Sequence, residues 1–184
     1  MRCYHFCNFY LSGIHAGIQA AHAQHELAVK YLGDGFNPDV EIHSEWSHDA
    51  NIAKYLDWAK NHKTMILLNA GMQGDLLKIE GSLESDKNRF PYASFREDQY
   101  ALNGALTDVC IVLPEEMYAF NYHINSFEKE PWPGHMEFVE NGVKYKLTRN
   151  EDRTVNLHHA GQAIYKYNAF DLGLIRTMSS MRLM

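Results

Sequence analysis

The stretch Leu106-Thr107-Asp108-Val109-Cys110-Ile111-Val112-Leu113 is a nearly continuous apolar run that Pro114 ends. It does not alternate as a half-solvated strand would, so it predicts a strand buried on both faces. Such a strand needs cover on both sides. In a chain of 184 residues this points to one core in which helices flank a sheet.

The remaining elements follow from the same reasoning. Residues 2–10 are rich in aromatics and Cys and predict a first strand. A helix is expected to residue 32, with Ile18, Ala21, Ala28, Val29 and Leu32 as its apolar positions. Gly35, Asn37 and Pro38 mark residues 33–46 as a loop, after which Ser47 or Asp49 caps a second helix with Ile52, Tyr55, Leu56 and Ala59 on one face. Residues 64–68 predict a fully buried strand, 75–83 a helix and 92–96 a short strand. The expectation is an α/β fold: a mixed sheet of about four strands with helices on both faces. Beyond residue 118 the character changes. Pro131-Trp132-Pro133-Gly134 reads as a rigid turn, Asn141-Gly142 as the turn of a hairpin, and residues 158–176 as one or two helices. The expected organisation is a core over residues 1–118 and a C-terminal hairpin and helix extension over 119–184, packed on that core.

Composition limits the functions open to such a fold. Lys and Arg number 17 against 23 Asp and Glu, a formal net charge of −6, so a broad basic footprint for a long nucleic acid is not expected. No apolar run approaches the roughly 18 residues that span a bilayer. Residues 1–10 lack the apolar stretch and small-residue cleavage site of a signal peptide. Cys3, Cys7 and Cys110 have no metal-ligand spacing and are expected to be reduced core residues of a cytoplasmic protein.

Two segments can carry chemistry. In Ser12-Gly13-Ile14-His15-Ala16-Gly17-Ile18-Gln19-Ala20-Ala21-His22 a strand passes into a helix start rich in small residues, where free N–H groups favour an anion. His15 and His22 are seven residues apart and share a helix face; His22 reads equally as a core histidine four residues from Ile18. The second segment, from Phe95 through Glu97, Asp98 and Asn103 to Thr107 and Asp108, returns carboxylates to a strand end, and reads also as a solvated turn. His22, His25 and Glu26 make no recognised metal pattern, and the adjacent His158 and His159 point to different sides of the expected helix, in a structural or lid role.

Gln19-x-x-His22-Ala23 early in the first helix, followed by a buried strand and an acidic loop leading into Thr107-x-Val109-x-Ile111-x-x-Pro114, resembles the type 2 peptidyl-tRNA hydrolases over roughly residues 2–118. The resemblance implies that fold, with Gln19 and His22 as the family's helix Gln and His, Glu97 or Asp98 near its catalytic Asp, and Thr107 near its loop Thr. One departure is informative: His15 stands where the family has a functional Lys. Residues 3–29 and 97–108 contain no Lys or Arg, whereas a tRNA acceptor stem would need several phosphate contacts. The chain looks similar to a bacteriophage branch of the family that destroys cyclic nucleotide signals of bacterial immunity (anti-CBASS).

Two imidazoles beside a helix N-terminus suit a general base and acid: one takes a proton from a ribose 2′-hydroxyl and the other protonates the departing 5′-oxygen. The leading expectation is thus a metal-independent phosphodiesterase of cyclic di- or oligonucleotides, a viral counter-defence hydrolase of the host cytoplasm. The alternatives are a peptidyl-tRNA hydrolase and a non-catalytic cyclic nucleotide sponge. The expected catalytic set is His15, His22, Asp98 and Thr107, with Gly13, Gln19, Glu97 and Asn103 as substrate contacts. No metal, cofactor or membrane partner is expected; the partner is a small cyclic nucleotide, and a homodimer is allowed.

Overall fold

The computed structural model describes residues 1–33, 48–131 and 134–184. Contacts divide the chain into two units, Met1–Pro114 with Met181–Met184, and Glu115–Ser180. The α/β class is as expected. The loop read over residues 33–46 (from 34 on), the Ser47 cap, and Trp132-Pro133 of the rigid turn lie outside the described residues.

The first unit carries strands β1 (Arg2–Cys7), β2 (Met65–Asn69), β3 (Tyr92–Arg96) and β4 (Leu106–Leu113). With a short strand at Arg182–Leu183 they form a five-stranded sheet ordered β3-β4-β1-β2 and then the C-terminal strand. β1 pairs parallel with β2 and antiparallel with β4, so the sheet is mixed. All eight residues of β4 are buried, as its continuous apolar run requires. β2 departs from the expected full burial: Met65 is 37 % exposed. The C-terminal strand pairs only with Leu68 and Asn69, which leaves the start of β2 at an open edge.

Helices α1 (Gly13–Leu32), α2 (His48–Asp57) and α3 (Gln73–Leu83) cover the sheet. Strand pleating shows which face each occupies. Ala93 and Phe95 of β3 belong with Ala23, Leu27 and Tyr31 of α1, while Ser94 and Arg96 both bond Glu80 of α3. The two helices therefore lie on opposite faces. Ile52, Tyr55, Leu56 and Ala59 pack towards the α1 cluster, as their spacing predicts.

The buried face of α1 differs in part from the expected one: Ala28 and Leu32 pack against the core cluster as expected, and Ile18 and Val29 do not. Ala16, Gln19, Ala20, Ala23, Leu27 and Tyr31 are buried, whereas Ile18 and Val29 are 47 % and 68 % exposed. The physical reason is close approach: Cys110 Sγ of β4 lies 3.5 Å from the Ala23 carbonyl, a separation that small side chains on the inner face permit.

Beneath α1 lies a buried polar row that β1 presents at alternate positions. His5 Nδ1 meets Asp108 Oδ1 at 2.9 Å, and Cys7 Sγ donates to Asp108 Oδ2 at 3.1 Å. Cys3 Sγ is 3.4 Å from His5 Nε2. The three cysteines are free and buried, as expected. Burial pushes the Cys3 and Cys7 thiols up, and the Asp108 carboxylate raises both further.

The second unit contains β5 (His135–Glu140), β6 (Val143–Arg149), β7 (Val155–His159) and β8 (Gln162–Tyr167), an antiparallel sheet in that order, with α5 (Asn121–Phe127) and α6 (Ala169–Ser179). Asn141 and Gly142 have φ of 51° and 79°, the turn expected between β5 and β6. The helical expectation over residues 158–176 is corrected in its first part: residues 158–159 and 162–167 are strand, and helix runs only from Ala169. Ala160 and Gly161, with φ of 49° and 80°, turn the chain back. Val155 and Leu157 are buried at a strand period, and the rings of Tyr165 and Tyr167 lie 4.7 Å apart, tilted by 52°. The C-terminal extension is thus a four-stranded sheet with helices, larger than a single hairpin. His158 and His159 occupy β7, which removes the helical-lid reading. Among the described residues no helix is long and apolar enough to cross a membrane.

Two outcomes test these packing arguments. Asp108→Ala leaves His5 and Cys7 buried without their partner, and urea unfolding should show a loss of about 3–5 kcal/mol; an unchanged midpoint would contradict the pairing. Gly142→Ala meets no atom within 4 Å, so only the left-handed backbone opposes it. Thermal unfolding should register about 1–2 kcal/mol.

Candidate active site

The loop after β1 is fixed before α1 begins. Asn8 N–H donates to the Thr107 carbonyl at 3.1 Å, Phe9 N–H to the Gly71 carbonyl at 2.7 Å, and Asn8 Oδ1 accepts from Tyr10 N–H. Ser12 then caps α1 by accepting from His15 N–H. This places the helix N-terminus beside the start of β4.

β4 enters with an irregularity. Phe95 pairs with Asp108 and Arg96 with Leu106, so Thr107 is an extra residue in the ladder. Such a bulge breaks the usual alternation of faces. Asp108 turns to His5 and Cys7 under α1, and its neighbour Thr107 reaches the same helix: Thr107 Oγ1 donates to Gln19 Oε1 at 3.0 Å. Gln19 Nε2 donates to Glu97 Oε1 at 2.6 Å. The two bonds fix the orientation of the Gln19 amide, since its oxygen accepts and its nitrogen donates. Gln19 and Thr107 are buried and Glu97 partly buried. The second oxygen of Glu97 has no side-chain or backbone partner among the described residues.

His22, one turn along α1 from Gln19, stacks on Phe95 with ring centroids 4.6 Å apart and an interplanar angle of 16°. It is exposed, which removes the core-histidine reading. Phe95 stands two residues before Glu97, so the ring and the carboxylate are carried by one short stretch of chain.

The other expected residues are placed differently. His15 is exposed in the first turn of α1 and joins the cluster by no side-chain contact. Asp98 caps the short helix α4 (Gln99–Leu102) by accepting from Tyr100 N–H at 2.7 Å, which occupies Oδ1 away from Gln19. Asn103 ends α4 in the left-handed conformation, φ 52°, a turn role. Gly13 is the first residue of α1, with no atom within 4 Å of where a Cβ would stand. Between the two carboxylates left open by the sequence, the contacts therefore select Glu97.

Phe95, His5 and Asp108 are the residues around this cluster that sequence reasoning did not assign. The alternation Cys3-x-His5-x-Cys7 was the available signal, because a strand period puts all three on one face. The nearest cation in sequence, Arg96, is bound to Glu80 on the other face of the sheet. Among the described residues no group of three or more His, Cys, Asp and Glu side chains is arranged to hold a metal ion. Two open clefts of about 640 and 600 Å³ are lined by residues of the second unit; neither is lined by Gln19, Glu97 or Thr107. No protein-family model matches the chain, and a comparison with curated proteins finds no match.

Proposed function

We propose that the first unit is a metal-independent hydrolase of phosphodiester bonds in cyclic di- or oligonucleotides, with Glu97 as general base and His22 as general acid. The observation that carries this reading is the Glu97 carboxylate, held by Gln19 through one oxygen while the other has no protein partner. A base positioned in this way can take the proton of a ribose 2′-hydroxyl. That oxygen attacks phosphorus, the bond to the 5′-oxygen breaks, and the leaving oxygen takes a proton from the imidazolium of His22. Water then opens the 2′,3′-cyclic phosphate so formed, with the acid and base roles exchanged, to complete hydrolysis. Imidazole suits the role because it exchanges protons near neutral pH. The first-turn N–H groups of α1 lie at the same end of the sheet and favour developing negative charge. Phe9, Tyr10 and Tyr100 are exposed at this end and offer flat surfaces to bases. Removal of an immune signal would be the consequence, as the resemblance to the bacteriophage branch implies.

A second reading, peptidyl-tRNA hydrolysis, is favoured by one specific observation. Gln19, Glu97 and Thr107 meet by hydrogen bonds, and these are the helix Gln, the acid and the loop Thr that the resemblance singles out. The absence of Lys and Arg from residues 3–29 and 97–108 favours the small cyclic substrate over a tRNA stem.

The deciding experiment incubates the protein with a panel of cyclic nucleotides and with peptidyl-tRNA, with and without EDTA, and resolves products by chromatography. Glu97→Gln and His22→Ala are each expected to lower turnover by at least about a hundredfold, with activity retained in EDTA and His15→Ala much milder. Full turnover in both variants, or loss in chelator, sinks the mechanism. Tight binding without conversion supports a sponge, and cleavage of peptidyl-tRNA alone supports the second reading.

A further inference from the structure

Glu97 is held by Gln19 at 2.6 Å, but no comparable bond aligns His22. The imidazole is exposed, and neither ring nitrogen has a hydrogen-bond or ion-pair partner among the described residues. A catalytic imidazole is commonly oriented by a carboxylate or carbonyl on its second nitrogen. Without one, an exposed side chain changes rotamer in picoseconds to nanoseconds. A reacting group misplaced by about 1 Å loses on the order of a hundredfold in rate. A general acid at position 22 therefore needs another kind of hold.

Phe95 supplies it. The two ring centroids are 4.6 Å apart with an interplanar angle of 16°, a face-on stack that leaves the imidazole edge and both its nitrogens clear. The platform itself is fixed twice. The Phe95 backbone pairs with Asp108 in the ladder, and its side chain packs against the cluster of Ala23, Leu27 and Cys110. His22 immediately precedes Ala23, which is fully buried, so both rings are carried by packed backbone. A stack fixes the plane of the imidazole and commits neither nitrogen. That suits two steps in which the roles exchange. The imidazolium first gives its proton to the departing 5′-oxygen. The neutral ring then takes a proton from the water that opens the cyclic phosphate, while Glu97 returns its proton to the 2′-oxygen.

We propose that Phe95 is a positioning residue of the reaction: its ring holds the His22 imidazole in the plane from which it serves the leaving oxygen and then the water. The role rests on His22 being the general acid. Phe95 itself touches neither substrate nor the reacting atoms and acts through His22 alone.

The test is a mutant cycle on the full chain, assayed with whichever of cyclic di-AMP and cyclic di-GMP is turned over faster. Phe95→Leu keeps apolar bulk and removes the ring; it should lower kcat at least about tenfold and leave KM within about threefold. Phe95→Tyr, which keeps the ring, should stay within about threefold of the parent in both. In a His22→Ala background Phe95→Leu should cost nothing further, because the platform has lost its occupant. The stack is read independently of turnover by NMR, as contacts between the His22 and Phe95 ring protons in the parent. Absence of those contacts, unchanged kcat in Phe95→Leu beside a hundredfold loss in His22→Ala, or an equal loss from Phe95→Leu in both backgrounds overturns the proposal and leaves the assignment of His22 standing. No turnover of either nucleotide, or full turnover in His22→Ala, overturns that assignment and the role of Phe95 with it.

Discussion

The extra residue in β4 sets the geometry on which the first unit's site depends. In a regular strand, Thr107 and Asp108 would point to opposite faces. Because Phe95 and Arg96 oppose three residues of β4, the two side chains instead serve the same helix-covered side. Asp108 closes the buried row of His5 and Cys7, and Thr107 orients Gln19. Gln19 in turn holds Glu97, and Phe95, at the same irregularity, supports His22. A rigid, fully buried strand thereby positions groups that sit on a helix and a loop. The buried row also explains why the bulge does not relax: a strand slip would leave the Asp108 carboxylate without its donors, a large penalty in the interior.

Much of this fold is legible in the sequence, for identifiable reasons. The span of β4 follows from an apolar run stopped by Pro114, and β3 from a short run after Pro91. The hairpin turn follows from Asn141-Gly142, where both residues tolerate positive φ. Gln19, Thr107 and one of Glu97 and Asp98 were picked out by the resemblance, which put Asp98 in the catalytic set and did not choose Glu97; periodicity alone assigned none of them.

What was not legible involves competition between patterns of similar strength. Helix α1 carries two apolar stripes, and the larger side chains of Ile18 and Val29 made the outer one the stronger signal. The sheet selected the inner stripe, where Ala16, Ala20 and Ala23 permit the close approach seen between Cys110 and the Ala23 carbonyl. In residues 158–176, Ala160, Ala163, Ile164 and Tyr167 fit a helical stripe, while the tyrosines at 165 and 167 also fit a strand period. Pairing with β6 and β7 decided the outcome, a tertiary effect that a local window does not contain. The bulge was hidden for the same reason, since it is a property of two strands and leaves no mark in one.

The electrostatics around Gln19 and Glu97 bear on the proposed substrate. Around Gln19 and Glu97, fixed cations are missing from both sequence segments, and Arg96 is bound to Glu80 on the opposite face. In these two segments the groups that can meet negative charge are helix N–H groups and imidazole, each a directional partner of limited reach. On the proposed reading, that arrangement would suit one reacting phosphodiester whose charge grows during the reaction, and it disfavours a long backbone that would need many neutralising contacts.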